Sequence, residues 1–150
     1  MIGAEIKLNN LPQLFAKLKA PTKEDVLKKT LRDVALNLVR WVKKERLSGR
    51  VTEPSGDTPG EGLNVQTGNL RASITKSRVE VKGSLFSGKE YEVRIGTNIE
   101  YAPKHELGLN GFPQRRFLQP ALEDIENQRF ALDELTRRIN IGLNLEKLGL

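Results

Sequence analysis

Tyr101-Ala-Pro-Lys-His-Glu-Leu-Gly-Leu-Asn-Gly-Phe-Pro-Gln-Arg-Arg-Phe-Leu-Gln-Pro-Ala-Leu122 is the stretch on which the reading of this chain turns. Its first part predicts a short helix over residues 101–107, because Pro103 is tolerated in a first turn and Gly108 suits the left-handed position after a last one. Gly111-Phe112-Pro113 then turns the chain, and an Arg pair leads into a last helix beginning near Pro120. Turn chemistry this dense, set among aromatic anchors, implies that two elements are held at a defined angle.

Working back toward the N-terminus, residues 73–82 alternate polar and apolar side chains, with Thr75, Ser77, Val79 and Val81 on one face. Tyr91, Val93 and Ile95 alternate with Glu92 and Arg94 in a returning strand, with residues 83–89 as the turn. This is the signature of a β-hairpin with one wet face. Just before it, in Thr67-Gly-Asn-Leu-Arg-Ala-Ser-Ile, Thr67 can cap a short turn in which Leu70 and Ile74 share a face.

Residues 50–66 hold three glycines and two prolines with few apolar side chains, a composition too poor in burial to offset the entropy of ordering. A long flexible loop is expected there. Ahead of it, Leu27, Leu31, Val34, Leu38 and Trp41 recur at steps of four and three on one face of a long helix over residues 23–47. That face is expected to be core, with Val26, Val39 and Val42 widening it to one side. Thr22 is the expected N-cap, with Asp25 in the capping-box position, and Ser48-Gly49 the stop. A short edge strand over residues 5–8 and a brief amphipathic helix through about Lys19 precede it.

On the C-terminal side, Phe117, Leu118, Leu122, Ile125, Leu132, Leu135 and Ile139 read as one helical stripe, ended or loosened at Gly142 and followed by a frayed tail. The fold expected is therefore α+β: a long N-terminal helix and a C-terminal helix packed on a small antiparallel sheet, with a long flexible loop. A single domain over residues 1–150 is expected from the length.

The 150 residues contain no cysteine and one histidine, which excludes a disulfide framework and the usual Cys/His zinc site. No charged-then-apolar leader opens the chain and no apolar run approaches ~18 residues, so synthesis in the cytoplasm and no membrane association are expected. The net charge of +6 is uneven: residues 1–50 carry 12 Lys and Arg against 5 Asp and Glu, while the remaining two thirds nearly balance. Arg40, Lys43, Lys44 and Arg46, with Arg50 beyond, crowd the end of the long helix. Cations there complement the carbonyl end of the helix dipole, or meet DNA or an acidic partner.

His105 beside Glu106, with Arg115 and Arg116 downstream, is the one cluster suggestive of hydrolysis. It lacks a second histidine, a nucleophile with a base, and the spaced carboxylates of a Mg²⁺ nuclease. No phosphate-cradling loop is present either, since the glycines at 56, 60 and 62 are not followed by Lys-Ser/Thr. No enzyme, no cofactor and no metal are expected. The Arg pair is better suited to carboxylates of this or an adjacent subunit.

Three segments in order carry a resemblance: Thr67-Gly-Asn-Leu-Arg-Ala-Ser-Ile, Tyr101-Ala-Pro-Lys-His-Glu-Leu-Gly and Pro113-Gln-Arg-Arg-Phe-Leu-Gln-Pro-Ala-Leu. Together they resemble the tail-completion, or virion morphogenesis, proteins of tailed bacteriophages. Where that family has Ala-Arg-Pro-Phe, this chain has Gln114-Arg115-Arg116-Phe117, keeping Arg115 and Phe117. The resemblance implies a structural subunit of the virion neck, made in the bacterial cytoplasm, that joins head connector to tail as a homo-oligomeric ring. Its partners would be head-completion and tail terminator or tube proteins, with DNA passing through the lumen. On that reading Arg50, Thr67, Leu70, Tyr101, His105, Glu106, Phe112, Arg115, Arg116 and Phe117 belong to subunit or partner contacts. The alternative is a basic nucleic-acid-binding domain.

Overall fold

The computed structural model describes residues 11–47, 68–84, 88–112 and 114–149. The expected edge strand, the 50–66 loop, Arg50 and Thr67 lie outside them. The architecture is α+β, as the residue pattern implies: α1 (Leu11–Ala16), α2 (Ala20–Trp41), α3 (Asn69–Ser73), β1 (Thr75–Lys76), β2 (Glu80–Ser84), β3 (Gly88–Glu92), β4 (Ile95–Gly96), α4 (Ala102–Leu107), α5 (Gln119–Glu123) and α6 (Ile125–Lys147).

The long helix forms as expected, but its boundaries and faces differ. It starts at Ala20, two residues before Thr22, and no side chain of its own caps it. Glu146 near the far end of α6 instead accepts the Lys19 N–H at 2.8 Å, a cap supplied by tertiary structure. At the other end α2 runs on through a π-helical turn, Val42–Arg46, closed by the Leu47 N–H on the Val42 carbonyl.

α2 serves two cores rather than one. Val26 packs with Leu18 and Ile139, flanked by Leu14, Phe15, Leu132, Leu135 and Leu143. Val39 and Val42 pack with Leu47, Leu70, Ile74, Ala102, Phe117 and Ala121. Thirteen residues separate Val26 from Val39, which at ~100° per residue places them roughly opposite each other on the helix. The expected stripe lies between: Leu38 and Trp41 pack on the second core, whereas Leu27, Leu31 and Val34 are only half-buried. The residues assigned to the side are the deeply buried ones.

α6 runs antiparallel to α2 and is stitched to it by polar contacts. Arg138 bonds both Asp33 and Glu134, Arg137 bonds Glu134, and Asn37 donates to the Asn127 side chain at 3.0 Å. Arginine bonding holds the Glu134 carboxyl below its usual range. For Asp33, burial pushes the other way, but Arg32 and Arg138 together outweigh it. At the apolar end the helices meet over Gly142, where a Cβ would come within 2.9 Å of Thr22 and 3.1 Å of Leu18. Gly142 therefore marks a close helix approach, not a helix end.

The expected single last helix is two. Asp124 adopts an extended conformation and accepts the Asn127 N–H at 2.9 Å, capping α6 afresh after α5. The break resets the helical phase, so Leu122 and Ile125 are 56% and 63% exposed instead of joining the stripe. The hairpin is also interrupted. β1 pairs with β4 as Thr75 with Gly96, and β2 pairs with β3 as Glu80 with Glu92. Three residues, 77–79, thus oppose two, 93 and 94, which is a bulge. Ser77 holds it, with its N–H on the Arg94 carbonyl and its hydroxyl accepting the Arg94 N–H. The strands also run further into the expected turn, to Ser84 and from Gly88.

Candidate functional site

The three quoted segments converge on one core. Leu70 and Ile74 come from the first, Ala102 from the second, Phe117 and Ala121 from the third, all buried together beneath Val39 and Val42. Ser73 and Thr97 share a hydrogen bond between hydroxyls, and Thr97 accepts the Ile99 N–H, so α3 is pinned to the chain as it enters α4.

Glu106 links the second and third segments. Its carboxylate accepts three backbone N–H groups, from Phe117 at 2.7 Å, Leu118 at 3.0 Å and Gln119 at 3.0 Å. These sit at the start of α5, where the first turn leaves donors without helical partners. The reverse face of the junction is satisfied too. The Leu109 N–H reaches the Lys104 carbonyl, the Arg115 N–H the His105 carbonyl at 2.7 Å, and the Gln114 side chain the Glu106 carbonyl. Gly108 makes this return possible: its φ is +67°, and a Cβ would stand 3.0 Å from that of Gln114.

His105 lies between aromatic rings, edge-on to Tyr101 at 6.1 Å and to Phe112 at 5.7 Å between centroids. Its Nδ1 is buried without a hydrogen-bond partner. Burial, reinforced by the nearby Arg115 charge, holds its pKa below the ordinary value and favours the neutral ring. Because Glu106 is already engaged by three N–H groups, it does not orient the imidazole as a general base would need.

The candidate contact residues thus separate into two groups. Leu70 and Phe117 are enclosed in the core and Glu106 is a junction clamp, so these three act inside the fold. Tyr101 and Phe112 are 40% and 44% exposed around His105, and Lys104 lies over the Phe112 ring. Leu107 and Leu109, which were not singled out from sequence, extend this apolar surface at 59% and 44% exposure. Their signal was present: a leucine ending a short helix and another just beyond its left-handed glycine stand at the rim of the fold. Arg115 and Arg116 are half-buried, and neither guanidinium forms an ion pair among the described residues.

At the end of α2, Arg46 lies over the Trp41 ring and Lys44 pairs with Glu45, while Arg40 is exposed. Among the described residues, no group of three or more acidic or histidine side chains is placed to hold a metal, and no helix is long and apolar enough to cross a membrane. No protein-family model matches the chain, and neither a curated protein nor a solved structure is detectably similar to it.

Proposed function

We propose that this chain is a structural subunit of the tailed-phage neck, a tail-completion protein that joins the head connector to the tail by assembling as a ring. Its residues act through shape and contact, on head-completion and tail terminator or tube proteins and on copies of itself.

The observation that carries the reading is the exposed apolar surface built by Tyr101, Leu107, Leu109 and Phe112 on the ordered-motif unit. Four large apolar side chains presented by a junction with paired backbone groups suit a contact made in assembly. Aromatic anchors of this kind supply a large part of the binding energy in interfaces, commonly ~2 kcal/mol or more each. The junction itself moves little on binding, because its carbonyls and N–H groups already have partners within the chain. Preorganisation of this sort lowers the ordering cost of association.

The test is addition of purified protein to tails and to portal-bearing heads, followed by electron microscopy. The wild-type chain is expected to add to one or both, and Tyr101→Ser with Phe112→Ser to lose the greater part of that addition. Failure of the wild type to add to either particle, or undiminished addition by the double variant, removes the basis of the reading.

A further inference from the structure

Away from the α4–α5 junction, the charge on α2 takes a form that assembly contacts do not account for. Between Lys29 and Lys43 the helix carries Lys29, Arg32, Arg40 and Lys43 at steps that return to one side, opposite the Leu27, Leu31 and Val34 stripe. The one carboxylate in that interval, Asp33, is shared between Arg32 of the row and Arg138 of α6. At 1.5 Å per residue the row extends about 21 Å.

Across from it, Lys76 immediately precedes the hairpin bulge and Arg78 lies within it. Together with Lys28, Lys29, Arg32 and Val79 they line an open recess of about 270 Å³. Five cations line it and no carboxylate does. The nearby acids are shared: Glu24 bonds both Lys28 and Lys89, and Asp33 bonds both Arg32 and Arg138. Asp25 pairs with Lys29 four residues on, an exposed helical pair of the weak kind. Arg78 is exposed and enters no ion pair among the described residues.

We propose that this recess and the row beside it form a track for the phosphodiester backbone of duplex nucleic acid, bound without sequence preference. Duplex DNA presents one negative charge per ~1.7 Å of its axis, so the two cation pairs of the row, Lys29 with Arg32 and Arg40 with Lys43 on either side of Leu36, each face several phosphates. An acidic protein partner would be anchored by apolar or aromatic side chains, and the recess offers only Val79 and the lysine and arginine stems. The absence of an aromatic platform in the lining also disfavours a single strand, whose bases require stacking surfaces. The track does not depend on ring assembly, so either can fail alone.

The experiment is anisotropy titration of a labelled 30-base-pair duplex of arbitrary sequence with the full chain over a range of salt. With the five recess cations and Arg40 and Lys43 of the row all engaged, the slope of log affinity on log salt is about −6.3, which is roughly a 6,000-fold loss between 50 and 200 mM. Arg32→Gln, Lys76→Gln and Arg78→Gln together should lower that slope by about 2.7, and Lys76→Gln with Arg78→Gln, remote from the helix packing, by about 1.8. A charge-matched control, Lys17→Gln with Arg129→Gln and Lys147→Gln, should leave the slope near its wild-type value. Equal losses in the control, a slope indifferent to the recess variants, no binding at 50 mM salt, or tighter binding of a poly-glutamate peptide than of the duplex would each overturn the proposal.

Discussion

Glu106→Ala removes the acceptor for three N–H groups at once, and its effect can be worked out bond by bond. The Phe117 N–H belongs to a residue only 1% exposed, so leaving it without a partner costs about 1–3 kcal/mol. Leu118 and Gln119 are half-buried, and water can replace part of what their N–H groups lose. Each then resembles a lost helix cap at about 0.5–1 kcal/mol. The expected total is about 3 kcal/mol, which for a chain of this size lowers the melting temperature by roughly 6–12 °C. Glu106→Gln is milder, near 1 kcal/mol, because one amide oxygen can still accept from Phe117 and Leu118 while the new NH₂ faces the Gln119 N–H. Urea unfolding followed by far-ultraviolet circular dichroism at pH 7 measures both, provided the slope on denaturant is unchanged. A loss below about 1 kcal/mol for Glu106→Ala would refute the view that this carboxylate holds the two motif segments together.

Two further substitutions test other parts of the account. Gly142→Ala should destabilise by about 1–3 kcal/mol through crowding against Thr22 and Leu18, although alanine at an ordinary helix position gains nearly 1 kcal/mol over glycine; a raised melting temperature would show that the helices are not so close. His105 has a depressed pKa in the folded chain, so the unfolded chain takes up the proton first as pH falls. Stability is full above the unfolded value near 6.5 and declines as pH drops from there toward the folded value. The decline should be absent in His105→Phe, measured by urea unfolding between pH 7.5 and 5, above the range where Asp33 and Glu134 begin to protonate.

Elements governed by local chemistry were legible in the residues. The α4 helix and its left-handed Gly108 follow from neighbours a few positions away, and so does the existence of the hairpin. Features decided by tertiary contact were not. Periodicity locates an apolar face but cannot divide it between two cores, so the regular Leu27, Leu31 and Val34 are only half-buried while Val26 and Val39 beside them are buried. Gly142 carries the same letter whether it ends a helix or admits a close neighbour. The break at Asp124 depends on an extended backbone conformation that the apolar residues on both sides do not announce. The candidate site divides along the same line. Tyr101 and Phe112 stand out in the sequence and are exposed in the structure, whereas the internal role of Glu106 depends on N–H groups eleven to thirteen residues away.

This division bears on what the motif resemblance can mean. Phe117, Ala121, Leu70 and Glu106 occupy their positions because the fold needs a filled core and capped donors, whatever partner the chain meets. Side chains at those positions serve the fold itself, while a partner is recognised by side chains that the scaffold holds outward. The two contributions separate experimentally. Tyr101→Ser with Phe112→Ser should change unfolding free energy little, about 0.5 kcal/mol per site as for other exposed positions, yet abolish most particle addition. Glu106→Ala should do the reverse at a temperature where enough folded protein remains: a large stability loss, with addition per folded molecule close to wild type. If the aromatic double variant instead unfolds as readily as Glu106→Ala, the outer rings are part of the core's support, and the contact surface must be sought elsewhere on the chain.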